Sequence, residues 1–186
     1  PIAADERLGD AEVEVERLTS IVEGLLAIAR SEGGSHDVVQ VDLAVLAQDR
    51  VENWRALAEE RDVTIAFDGP PHAVGSALSS APEQIVDNLV DNAIGHSPKG
   101  TAVVVRVREL TDEIELAVID AGTGMTVDQC NRAFDRFWRA DSTKDGSGLG
   151  LAIVKHLVEL SGGTATLAPG RGGLGVVATV RLPRVK

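Results

Sequence analysis

Asn88 and Asn92 stand four residues apart, with Gln84 one turn earlier, so on a helix all of them share one face. Asparagine costs roughly half a kcal/mol of helix propensity against alanine, which makes a stacked pair conspicuous. Its neutral oxygen is a hard ligand suited to a magnesium ion that keeps most of its shell on water and substrate phosphates. A solvated polar face accounts for the same spacing. Asp120 closes the row Ile114, Leu116, Val118 on one side of a strand, and Gly122 and Gly124 follow at once. A half-buried carboxylate there must find donors, and glycines admit a ligand close to the main chain. That suits an amino-bearing heterocycle such as adenine; an aspartate that merely caps a glycine turn fits equally. Gly146-Ser147-Gly148-Leu149-Gly150 opens directly into a helix, whose free N–H groups and dipole can hold phosphate without a basic patch. No Gly-Lys-Ser/Thr follows, so this is no Walker loop, and a flexible linker reads the same way. Between the glycine clusters lie Phe134, Arg136, Phe137, Trp138, Arg139 and Lys144, a loop able to close over a nucleotide or simply pinned by its aromatics.

Positioning these groups requires alternating strands and helices from Val38 onward. The expected strands are Val38–Val41, Val63–Phe67, a weak one near Ala73–Gly75, Thr101–Arg108, Glu113–Asp120, Thr164–Leu167 and Val176–Leu182. The expected helices are Leu43 to about Glu60, Pro82 to about His96, and Gly150 to Leu160, with one short helix between Met125 and Gly146. Interleaving without strict βαβ repetition predicts an α/β two-layer sandwich, a mixed sheet with helices on one face. Ahead of it, Leu8, Ala11, Val15, Leu18, Val22, Leu25 and Ala29 make a heptad seam on one long coiled-coil-like helix, from about Asp5 to Arg30. Ser31-Glu32-Gly33-Gly34-Ser35 ends it in a joint, dividing the chain into 1–34 and 35–186.

The 186 residues carry 29 acidic and 18 basic side chains, a net charge of −11, which disfavours nucleic acid and anionic membrane as partners. With 44% apolar residues but 3% aromatics, a core is available and must be built of Val, Leu, Ile and Ala. Cys130 is the single cysteine, so neither an intrachain disulfide nor a cysteine-rich zinc site is possible. No apolar run nears the roughly 18 residues of a membrane span, and no signal-peptide pattern opens the chain.

Taken together and in order, these segments resemble the ATP-binding domain of sensor histidine kinases, within the gyrase/Hsp90/MutL-type ATPase superfamily. The N box matches Asp87-Asn-Leu-Val-Asp-Asn-Ala-Ile94, and the G1 box Asp120-Ala-Gly-Thr-Gly-Met125. The F box matches Phe134-Asp-Arg-Phe-Trp-Arg139, and the G2 box Gly146-Ser-Gly-Leu-Gly-Leu-Ala-Ile-Val-Lys155. The stretch from Glu16 to Arg30 is similar to the second helix of the family's dimerisation and phosphotransfer hairpin. The resemblance implies a Bergerat-type fold that binds ATP and Mg2+. Asn92 would ligate the metal, with Asn88 lining the site. Asp120 would accept from the adenine amino group, with Gly122 and Gly124 shaping the pocket. Gly146, Gly148, Leu149 and Gly150 would contact phosphate, helped by Arg136, Arg139 or Lys144.

Water-splitting relatives carry a glutamate where Asn88 stands, so the resemblance implies phosphoryl transfer to a protein rather than hydrolysis. It further implies a histidine acceptor on an upstream helix, a response regulator receiver domain as recipient, a homodimer through the N-terminal helix, and a cytoplasmic domain of a membrane sensor. Two departures stand out. Gly95 and His96 occupy places where the family often has lysine and an aromatic, so one phosphate contact is either missing or supplied by Lys99 or Lys144. None of His36, His72, His96 and His156 lies in a His-Glu-x-x-Arg-Thr-Pro segment, so the acceptor is expected outside this chain. The rival readings are a serine/threonine kinase of the anti-sigma-factor type and a catalytically silent nucleotide-binding adaptor that dimerises.

Overall fold

The computed structural model describes residues 37–79, 81–140 and 147–185. The heptad segment, the joint after it, His36, Lys144 and Gly146 lie outside them. Seven strands and four α-helices follow in the order β1 (Val38–Asp42), α1 (Leu43–Glu60), β2 (Val63–Asp68), β3 (Val74–Leu78), α2 (Pro82–His96), β4 (Thr101–Glu109), β5 (Glu113–Ile119), α3 (Val127–Arg132), α4 (Gly150–Leu160), β6 (Thr164–Pro169) and β7 (Val176–Pro183).

The main sheet runs β2-β4-β5-β7-β6. Only the β2–β4 pair is parallel; the other neighbours are antiparallel, so the sheet is mixed. The parallel pair needs a crossover, which β3 and α2 provide between the two strands. Alternation decides which face is covered. Val103, Val105 and Val107 of β4 and Ile114, Leu116 and Val118 of β5 are at most 1% exposed. They meet Ile85, Leu89 and Ala93 of α2, and Ile153, Val154 and Leu157 of α4, in one aliphatic core. The helices lie on that single face, giving the two-layer sandwich.

Two strands depart from expectation. The weak strand near Ala73–Gly75 is a full strand, β3, and with β1 it forms a separate two-stranded antiparallel ribbon outside the main sheet. Gly75 and Ser76 dilute its apolar pattern, and pairing to Val41 and Gln40 defines it instead. β5 stops at Ile119, although Asp120 N–H still donates to Val176 O at 3.1 Å, a one-residue difference at a fraying end.

The ribbon is tied to α1 through Asp42. Its Oδ1 caps the helix by accepting from Ala44 and Val45 N–H at 3.2 and 3.3 Å, and also accepts from Ala73 N–H at 3.0 Å. A second tie joins α1 to α2. Arg50 clamps Asp87 with Nε and Nη2, at 2.8 and 3.0 Å, while Trp54 Nε1 donates to Asp87 Oδ1 at 2.7 Å. Bidentate guanidinium–carboxylate geometry fixes orientation as well as distance. Asp87→Ala leaves the Arg50 fork and a half-buried indole N–H without acceptors. It is expected to cost about 1–3 kcal/mol in urea unfolding, against less than about 1 kcal/mol for Glu52→Ala in the exposed Arg55 pair.

Candidate functional site

Helix α2 brings the two asparagines to the site. Pro82 opens it, where a missing N–H costs nothing, and Ile85, Leu89 and Ala93 bury the stripe adjacent to the asparagines. Asn88 is half-buried, and its Nδ2 donates back to Gln84 O at 2.9 Å. That bond orients the amide so that Oδ1 faces α4, where a Cβ on Gly150 would stand only 3.2 Å away. The first residue of α4 is therefore small where the amide comes closest. Asn92, one turn on, is half-buried, and its side chain makes no hydrogen bond among the described residues; its main-chain oxygen meets His96 Nδ1 at 2.8 Å.

Asp120 sits just past the end of β5 with its carboxylate partly sunk. Oδ1 accepts from Gly122 N–H at 2.8 Å and from Val176 N–H at 3.2 Å. Oδ2 has no donor among the described residues. Burial pushes the Asp120 pKa above its ordinary value, although the two N–H groups and nearby His96 favour the charge. A Cβ on Gly122 would stand 2.8 Å from His96 O, so the turn after Asp120 backs directly onto the end of α2. Gly124, at φ +80°, leaves no room for a Cβ beside Gly173 O.

That second contact belongs to a segment sequence reasoning passed over. Residues 170–175 run Gly-Arg-Gly-Gly-Leu-Gly and fold under the Asp120 turn, with Gly175 N–H donating to Gly122 O at 2.8 Å. Four glycines in six residues were a legible signal of close backbone approach. The Arg50–Trp54–Asp87 clamp was missed as well, because Arg50 and Trp54 stand 37 and 33 residues from Asp87.

The aromatic loop begins with α3, capped by Thr126 and Gln129 in a reciprocal capping box. It returns to the glycine turn before α4 through Phe137, whose N–H donates to Gly148 O at 3.0 Å. Phe137 takes φ +64° and Gly148 φ +68°; a Cβ on Gly148 would stand 3.0 Å from Trp138 O. Lys155 of α4 lies 5.8 Å over the Phe134 ring, and Arg132 lies 5.9 Å over Trp138. The two candidate arginines separate clearly. Arg136 is exposed, whereas Arg139 is half-buried, with Nη2 shielded from solvent and without a hydrogen-bond partner among the described residues. Leu149 buries its side chain in the core, and its N–H bonds Ser147 Oγ at 3.3 Å, so what it offers a ligand is main chain only.

The structure thus joins Asn88 to Gly150, Asp120 to Gly122, and Gly148 to the aromatic loop. Nothing in it is a protein-only metal cage: the described residues hold no cluster of three His, Cys, Asp or Glu side chains. Amide ligands that leave most of a magnesium shell to phosphate and water need none. A buried guanidinium nitrogen without an acceptor among the described residues fits an anion.

Comparison with known proteins agrees with this geometry. Residues 77–186 match the family described as histidine kinase-, DNA gyrase B-, and HSP90-like ATPase. The sensor-like histidine kinase SenX3 of Mycobacterium tuberculosis is 31% identical over 177 residues, covering 92% of this chain and 43% of that protein. The chain thus spans less than half the length of that relative. Among solved structures, the mycobacterial sensor histidine kinase MprB superposes with a TM-score of 0.68 at 30% identity, covering 81% of this chain and 98% of the other. Full-length ShkA in complex with AMPPNP gives 0.78 at 27% identity, over 91% of this chain and 36% of that one. Neither the serine/threonine kinase reading nor the silent adaptor gains support from these matches. With α2 meeting α4 at Asn88 and Gly150 and meeting the Asp120 turn at His96 and Gly122, the chain belongs to the histidine kinase-, DNA gyrase B- and HSP90-like ATPase family, in its sensor histidine kinase branch.

Proposed function

We propose that this domain binds Mg-ATP in the cleft between α2, the Asp120 turn and α4, and transfers the γ-phosphoryl group to a histidine of a protein substrate. The observation that carries the reading is Arg139 Nη2, shielded from solvent and without a hydrogen-bond partner among the described residues, on the loop whose Phe137 N–H bonds Gly148 O. A guanidinium nitrogen cut off from water gains from an anionic acceptor, and a phosphate supplies one.

Each residue has a task that follows from its surroundings. Asp120 Oδ2 accepts from the exocyclic amine of adenine, and repels the carbonyl oxygen that guanine presents at the same place. Gly122 and Gly124 keep the floor low enough for the base. Gly148 and Gly150 expose main chain at the start of α4, where the helix dipole favours phosphate. Asn92 Oδ1 would ligate the magnesium ion, and Asn88 Oδ1 lines the same wall. The ion, when bound, neutralises phosphate charge and holds the oxygens in line.

An asparagine at position 88 cannot take a proton from water, which favours a nucleophile arriving with its own lone pair. A neutral imidazole nitrogen is such a nucleophile: its bond to phosphorus forms as the bond to the ADP oxygen breaks. Positioning and charge neutralisation are what such a transfer requires. In the same reading, residues 1–34 form the second helix of a dimerisation hairpin and 35–186 the kinase domain. The homodimer, relay to a response regulator receiver domain, and attachment to a membrane sensor on its cytoplasmic side are parts of this proposal. The heptad seam supports the first of them.

Asp120→Asn separates binding from folding. The amide keeps an oxygen for Gly122 and Val176 but turns the outward acceptor into a donor. Because burial raises the Asp120 pKa, the ionised form costs stability at neutral pH, and the cost disappears as pH falls through the raised value. The variant is therefore expected to melt no lower than wild type at pH 7, while calorimetry shows ATP affinity down at least about tenfold. For the transfer itself, the chain is mixed with a separately expressed acceptor hairpin from a relative and γ-labelled ATP. Acid-labile, base-stable label should appear on the hairpin, need magnesium, and fall at least about tenfold with Asn92→Ala. A hairpin that stays unlabelled while ATP binds normally would sink the kinase reading and leave an adaptor.

A further inference from the structure

Gly95 lies three residues after Asn92 and seven after Asn88, so it continues the same stripe of α2. It is the last residue but one of α2 and is exposed. A side chain of another element stands over it. Arg61, which ends α1, holds its Nη1 3.8 Å from the place a Gly95 Cβ would occupy. A methyl group would fit at that distance, but any longer side chain would meet the guanidinium. Arg61 is exposed, and its guanidinium makes neither a hydrogen bond nor an ion pair among the described residues. Its main-chain N–H closes the helix by bonding Leu57 and Ala58 oxygens at 3.2 and 3.1 Å, so the side chain is not needed for the cap.

This cation stands above a helix otherwise acidic on its open side. Glu83 and Asp91 make no ion pair among the described residues, while Asp87 is already taken by Arg50. From Asn92 to Gly95 the helix rises about 4.5 Å, within the sweep of an arginine side chain. We propose that Arg61 reaches over Gly95 to bind the phosphate chain of the nucleotide, supplying from α1 a positive charge that α2 itself lacks at this stripe. Gly95 is then the gap through which a neighbouring helix contributes to the site. The inference rests on the nucleotide reading above and adds to it the identity of one phosphate ligand.

Calorimetric titration of the whole chain with adenosine, Mg-ADP and Mg-AMPPNP tests it, using wild type, Arg61→Ala and the double variant Arg61→Ala/Gly95→Lys. Arg61→Ala should weaken both phosphate-bearing ligands about tenfold and leave adenosine within about twofold, with an unchanged melting temperature. The double variant should recover most of the loss, because its lysine grows from the same place on α2. Equal affinities for wild type and Arg61→Ala overturn the inference alone, as does a loss shared by adenosine, which marks a structural role. A double variant no tighter than Arg61→Ala also overturns it, since the missing charge then belongs elsewhere. Wild type that binds none of the nucleotides removes this inference and the nucleotide reading together.

Discussion

Asp120 Oδ1 accepts two main-chain N–H groups, from Gly122 on its own turn and from Val176 at the start of β7. Those bonds hold a partly sunk carboxylate in one orientation and leave its other oxygen facing outward. The surrounding turns are shaped to permit it. Gly122 presses against the end of α2, Gly124 and Gly175 lack the Cβ that Gly173 and Asp120 oxygens would exclude, and residues 170–175 close beneath. Remove that anchoring and the floor of the cleft has no reason to lie where it does.

The opposite wall depends on a different economy of atoms. Asn88 is oriented by its bond to Gln84 and approached by Gly150, so α2 and α4 meet at an amide and a glycine rather than at two large side chains. The aromatic loop is then held to α4 at both of its described ends, through Phe137 N–H on Gly148 and Lys155 over Phe134. Arg139 belongs to the same loop, so a phosphate drawn to it would bear on the posture of that loop.

Much of this was legible in the residues because the signals are local. Pro82 and the glycine before Leu151 punctuate α2 and α4 so strongly that both helices begin where the sequence places them. The parity that sets Asp120 beside Ile114, Leu116 and Val118 likewise needs only the pleat. What stayed hidden is non-local. Arg136 and Arg139 look alike in sequence and differ only once folding buries one of them. β3 carries too few apolar residues to declare itself and exists because β1 pairs with it. The partnership of Arg50, Trp54 and Asp87 joins two helices that no short-range pattern connects.

That partnership has a mechanical corollary. Asp87 and Asn88 are consecutive residues, so the helix that grips one also indexes the other. At its near end the same helix is pegged by Asp42 to the ribbon that follows residue 37. A twist entering along that ribbon would meet one rod and one three-cornered linchpin before the wall of the cleft, a path made of the Asp42 and Asp87 bonds.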